Sequence, residues 1–212
     1  MRNYGFKMSK LDGTEYEFKV NRNSSLPLEF SYKKYLPPIL NQGERSICVP
    51  CAISAHLDWN YNVDNNGKIF KSNKILINDI YEARKNKSTN NGMQIKDALD
   101  YLRKTGVKSK GGLMKIRQYA KVTNTIALKY AIVMNGPCIG ALRVYNDEKT
   151  DFWKRDYEGQ EMLGGHAVAI IGYDMNGFIL RNSWGTSYGK SGYSTISFDD
   201  ANKFLEIWTI YD

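Results

Sequence analysis

The chain has 212 residues, 42% apolar and 25% charged, which suits one large globular domain or two small ones sharing a cleft. No run of about 18 apolar residues exists to span a membrane, and Met1–Lys10 lacks the apolar core of a secretory signal. The net charge of +8 is carried by basic residues scattered among acids, not by a basic block, so it predicts a solvated surface and not a nucleic-acid partner.

In chain order, residues 1–25 form a polar arm with Tyr4, Phe6, Leu11, Tyr16 and Phe18 as anchors. Asn23-Ser24-Ser25 and Asn86-Lys87-Ser88 match the glycosylation sequon, which in an Asn-rich chain is read as chance. Leu26–Ile39 is extended around its prolines. Asn41-Gln42-Gly43 is a turn, followed by a small-residue apolar run that predicts a helix at 48–61. Pro50 is tolerated only in a first helical turn, so Cys48 sits at or just before the helix N-terminus. The free amides and positive dipole there favour a thiolate, and Cys48 is a candidate nucleophile. Cys51 lies a turn further in and is read as core, as is Cys138 after Gly136-Pro137. Three cysteines do not describe a disulfide framework, and Cys48-x-x-Cys51 lacks a second pair for zinc.

A second helix is expected at 74–86 and a third at 94–104, where Ile95, Ala98, Leu99 and Leu102 recur at helical spacing before Gly106. A short helix at 124–135 stops at Asn135-Gly136-Pro137. Strands are expected at 139–145, 166–173, 178–184, 193–198 and 204–210, with Asp174-Met175-Asn176-Gly177 joining the second and third as a hairpin. The domains expected are an arm at 1–25, a mainly helical lobe at 26–112 and a mainly β lobe at 113–212.

A nucleophilic cysteine needs a base in reach and a group that orients the base. The chain has two histidines. His56 is eight residues along the same helix, roughly 12 Å from Cys48, too far to pair. His166 opens a strand after Gly164-Gly165, and the hairpin returns Asn182 to the same end of the ribbon, where its carbonyl could fix the imidazole tautomer.

Three blocks carry a family resemblance: Gln42-Gly43 with Cys48 six residues beyond the glutamine; Gly165-His166-Ala167-Val168-Ala169-Ile170-Ile171-Gly172-Tyr173; and Asn182-Ser183-Trp184-Gly185 with Tyr188-Gly189 and Gly192-Tyr193. In this order the sequence resembles the papain-like cysteine peptidases, nearest their minimal bacterial and viral members. Val49 follows the cysteine where the family has tryptophan, Arg45-Ser46-Ile47 hold no second cysteine, and Tyr188 stands where a second tryptophan is common. The resemblance implies an α+β fold, with a helical lobe, a β-barrel-like lobe and the cleft between them. It implies peptide-bond hydrolysis through a thioester on Cys48, with His166 as base and acid, paired as thiolate and imidazolium. Asn182 would orient His166, Trp184 would shield that contact, and Gln42 would serve the oxyanion hole. Cleft positions for substrate would be Gly92, Met93, Ala141, Gly164 and Trp184. A polypeptide substrate is implied, with no metal or cofactor; from the charge pattern and the lack of a signal or membrane segment, no nucleic-acid or membrane partner and a cytoplasmic or viral/host-cell location are expected, and a monomer is expected. Two other readings stay open: a silent binding relative, or a transferase or deconjugating enzyme with the same dyad. The aromatic-bearing arm is a candidate to lie in the cleft and damp activity.

Overall fold

The computed structural model describes residues 2–20, 25–64, 74–84, 92–109 and 112–212. Both sequons and the Asn90-Asn91 break fall wholly or partly outside them. The arm opens with β1 (Phe6–Lys7), followed by β2 (Phe30–Ser31). Four helices follow: α1 (Cys48–Asp64), α2 (Lys74–Glu82), α3 (Ile95–Lys104) and α4 (Thr125–Asn135). The short β3 (Met93–Gln94) leads into α3; β4 (Val107–Ser109) and β5 (Gly112–Met114) pair after it. The remaining strands are β6 (Gln118–Lys121), β7 (Cys138–Val144), β8 (Gly164–Tyr173), β9 (Phe178–Arg181), β10 (Tyr193–Ile196) and β11 (Glu206–Tyr211).

The helix α1 is buried around its whole circumference from Cys48 to Leu57, so no single apolar stripe organises it. It runs through the middle of the molecule, and Pro50 sits in its first turn as expected. The amphipathic α3 buries Ile95, Ala98, Leu99 and Leu102. Asn124 caps α4 by accepting from the Ala127 N–H at 2.8 Å. At its other end Gly136 has φ +94° and the Trp59 ring fills the space where a Cβ would stand, so only glycine fits.

The main sheet has the order β10-β9-β8-β7-β11-β6, with β2 added beside β8. The β8–β9 hairpin turns through Asp174–Gly177, closed by the Asp174 N–H to the Gly177 carbonyl at 2.9 Å, and its register shifts between Ile170 and Gly172. The strand expected at 178–184 ends at Arg181, beyond which the Asn182 N–H donates to the Gly192 carbonyl at 3.0 Å. Strand β6 was not expected: Gln118-Tyr119-Ala120-Lys121 alternates too weakly, and its β identity comes from pairing with β11.

One core lies on the outer face of the sheet, with α4, Phe152, Trp153, Tyr173 and Phe178. The other lies between helices and sheet and joins Val49, Ile53, Leu99, Ile139, Ala141 and Trp208. Cys48 enters this second core from the N-terminus of α1, while β8 and the end of β9 bring His166 and Asn182 together beside Phe152 and Trp184 of the first.

Candidate active site

Cys48 is the first residue of α1 and is fully buried. Its sulfur faces the backbone amides of Ala167, Gly5 and Val49, and its own. Those donors favour the thiolate, but burial outweighs them and pushes the thiol up to about 11. The neighbour that completes the burial is the arm. Gly5 lies so close to Ser46 that a Cβ on it would meet the Ser46 carbonyl oxygen at 2.2 Å.

His166 is also fully buried. Nε2 lies 2.7 Å from Asn182 Oδ1, which itself also accepts from the Ser183 N–H at 2.7 Å. Nδ1 is buried with no partner. Trp184 stacks on the imidazole, centroids 4.3 Å apart and planes 27° from parallel, and Phe152 meets it edge-on. Enclosure by aromatic rings penalises the cation; burial is the largest influence and lowers the imidazole to about 4, against the Asn182 bond, which raises it. No hydrogen bond joins His166 to Cys48. In this arm-covered state desolvation works against both members of the expected thiolate–imidazolium pair.

Gln42 is buried in the loop before α1. Its Oε1 accepts from Ser183 Oγ at 2.6 Å, and its backbone N–H reaches the Ser183 carbonyl at 2.8 Å. Nε2 donates to the Arg45 carbonyl at 2.9 Å and to the Asn3 carbonyl, in the arm, at 3.1 Å. Ser183 thus links the Gln42 and Asn182 side chains, a role the sequence-based reading had missed. The Asn-Ser-Trp order was its only signal.

The arm crosses the whole cleft. Arg2 and Tyr4 are held by Asp147: Arg2 pairs with its carboxylate at 3.3 Å and Tyr4 Oη donates to it at 2.7 Å. Arg2 and Tyr4 also pack on Trp184. Strand β1 then runs parallel to β3, with Phe6 opposite Met93 and the Met93 N–H on the Gly5 carbonyl at 2.7 Å. Gly92 lies under Gly5, Gly164 under Tyr4 and Gly165 under Phe6; a Cβ on Gly92 would meet the Gly5 oxygen at 1.9 Å. Ala141 is buried in the same core as Phe6 and Met93. Of the five positions expected to line a cleft, the arm packs on Gly92, Met93, Gly164 and Trp184, and Ala141 is a buried core residue.

The other candidates lie elsewhere. Buried His56 is satisfied by the Pro137 carbonyl through Nδ1 at 2.9 Å and by Asp212 through Nε2 at 2.8 Å. Cys51 and Cys138 are buried free thiols. Among the described residues no group of histidine, cysteine and carboxylate could hold a metal, and no helix is long and apolar enough to cross a membrane.

The family profile described as papain family cysteine protease matches residues 58–207, more than half of the chain. The chain belongs to the papain family of cysteine proteases. The matched span contains His166 and Asn182 and starts ten residues after Cys48. The chain is 24% identical over 192 residues to a cathepsin L-like proteinase from Phaedon cochleariae, covering 78% of this chain and 58% of that one. It is 33% identical over 88 residues to a gut-specific cysteine proteinase from Caenorhabditis elegans, 38% of this chain and 26% of that one. It thus spans between a quarter and three-fifths of these relatives' length. The structure of xylellain, a cysteine protease from Xylella fastidiosa, superposes with a TM-score of 0.79 at 20% identity, covering 99% of this chain and 96% of that one. The α+β fold described above is the papain-like fold.

Proposed function

We propose that this papain-family chain hydrolyses peptide bonds through a thioester on Cys48. The observation that carries the reading is that the arm lays a peptide carbonyl, that of Asn3, on the Gln42 Nε2 donor while its Gly5 amide faces the Cys48 sulfur. In the reaction, His166 takes the Cys48 proton through Nδ1, the nitrogen left free by the Nε2–Asn182 bond. The sulfur attacks the substrate carbonyl carbon, and the oxyanion is met by Gln42 Nε2 and the Cys48 N–H. The imidazolium returns its proton to the leaving amine as the C–N bond breaks. Water, deprotonated by His166, then hydrolyses the thioester and frees the thiol. Asn182 holds the tautomer, and Trp184 keeps water from that contact.

On this reading the polarity of the arm protects it from cleavage. The leaving amine must face His166 and so departs on the Trp184 side, which puts the acyl half of a substrate along Met93. A substrate therefore runs from β3 towards Trp184. The arm runs from Trp184 towards β3. It fills the cleft, buries the thiol and imidazole, and damps turnover until it lifts.

An epoxysuccinyl peptide should label Cys48 and no other cysteine by mass spectrometry, and Cys48→Ala should abolish cleavage of a peptide library. No label and no cleavage in any sample would sink the reading. Products that carry a new acyl acceptor in place of a free acid would identify a transferase instead.

A further inference from the structure

The chemistry above uses one thiol of a pair. Cys48-Val49-Pro50-Cys51 sets a second cysteine three residues beyond the nucleophile, both in the first turn of α1. Cys51 is a buried free thiol with no part in the proposed hydrolysis, and it packs in a small cluster with Ile47, Ile77 and Tyr81. Burial pushes its thiol up to about 12, and a negative charge on Cys48 pushes it the same way, so the two sulfurs lie within electrostatic reach of each other. Cys138, by contrast, opens β7 in the core on the outer face of the sheet.

Spacing and backbone both allow a bond between the pair. Three residues apart on a helix, the α-carbons lie about 5 Å apart, within the range a disulfide accepts. The β-carbons start about 5–6 Å apart and must close by roughly 1–2 Å. The first turn can give that much. Pro50 has no N–H to hold it, and the Cys48 and Val49 amides face the Cys48 sulfur. The Cys51 N–H, on the Ile47 carbonyl at 3.1 Å, is the bond that closes the turn. Burial keeps Cys51 from reagents in solution, whereas the sulfur beside it is the one that the cleft presents once the arm lifts.

We infer that Cys48 and Cys51 form a reversible disulfide site, through which peroxide switches the nucleophile off and a dithiol switches it on again. This rests on the reading of Cys48 as the reactive thiol. With the arm lifted, the Cys48 thiolate attacks one oxygen of hydrogen peroxide. The S–O bond forms, the O–O bond breaks and hydroxide leaves; the sulfur is oxidised by two electrons and the peroxide reduced. The Cys51 sulfur then attacks the sulfenic sulfur. The S–S bond forms, the S–O bond breaks, and the Cys51 proton leaves with the departing hydroxide as water. Exchange with a dithiol returns both thiols. A nucleophile without such a neighbour goes on to the sulfinic and sulfonic acids, which a dithiol does not reverse.

The test reads masses, not turnover, on the full-length chain. Trypsin releases Ser46–Lys68, which carries Cys48 and Cys51 and no other cysteine. After a stoichiometric pulse of hydrogen peroxide and an alkylating quench in guanidinium, that peptide should be two hydrogens lighter and unalkylated. Dithiothreitol before the quench should restore two alkylatable thiols. In Cys51→Ala the same pulse should carry Cys48 to the sulfinic or sulfonic acid, with at least tenfold less Cys48 thiol recovered by dithiothreitol. Cys51→Val should behave like Cys51→Ala, and Cys138→Ala like the unaltered chain. Over-oxidised Cys48 beside an alkylated Cys51 in the unaltered chain, a link from Cys48 to Cys138, a Cys48 untouched by peroxide, or equal recovery with and without Cys51 overturns the inference. The peptidase reading fails separately, through absent peptide cleavage by the fully reduced, unaltered chain.

Discussion

Burial acts in opposite senses on the proposed nucleophile and its proposed base, raising the Cys48 pKa and lowering that of His166. The consequence for stability has a definite sign. An unfolded imidazole takes a proton near pH 6.5, whereas folded His166 refuses it down to about 4. Between those values the unfolded chain binds more protons, so this contribution is present above pH 6.5 and is lost as pH falls towards 4. At about 1.4 kcal/mol per unit the loss is on the order of 3 kcal/mol, and Tm should drop steadily across that window. An NMR titration of His166 with its midpoint near 6.5 would contradict it. Ser183 offers a second test. Ser183→Ala removes the 2.6 Å bond that aims Gln42. Turnover should fall by about tenfold, less than the 10²–10³ that loss of an oxyanion donor itself costs. Unchanged kcat would mean Gln42 holds its orientation without Ser183.

At the level of elements, the arm and the loop between β7 and β8 form a latch. Asp147 of that loop holds Arg2 and Tyr4, while β3 holds the other end through the Gly5 carbonyl. Gly5 is the tight point, since its α-carbon passes against the Ser46 backbone. Gly5→Ala cannot stay seated, and Asp147→Ala removes the far anchor. Gly5→Ala should speed Cys48 alkylation at pH 7 by at least tenfold, and Asp147→Ala by a few-fold, without touching the reacting groups. Alkylation at the unaltered rate in both would show that the arm does not control access. The strand in the arm could not be read from Phe6 and Lys7 alone. A two-residue strand has no periodicity, and its conformation is imposed by Met93 and Gln94 across the cleft.

Across the molecule, the lobes are joined by the core that runs from α1 and α3 to β7, β8 and β11. Trp208 is fully buried at its centre and meets the Tyr119 ring edge-on. Trp208→Ala should cost about 3–5 kcal/mol in denaturant unfolding, because the surrounding sheet cannot collapse into the space left. A cost under about 1 kcal/mol would mean that the lobes are held together elsewhere.

What could be read along the chain was whatever local chemistry states unambiguously. Pro50 fixed the start of α1 and thereby the position of Cys48; the turn at Asp174–Gly177 fixed the hairpin and thereby the meeting of His166 with Asn182. Elimination of His56 needed only the rise of a helix. Other features depend on residues far apart in sequence and were decided by packing. Ser183 matters to the proposed site only because Gln42 lies against it. The protonation of Cys48 and His166 turned on the arm as well. A helix terminus favours a thiolate when water reaches it; here burial of Cys48 outweighs the backbone amides that face it.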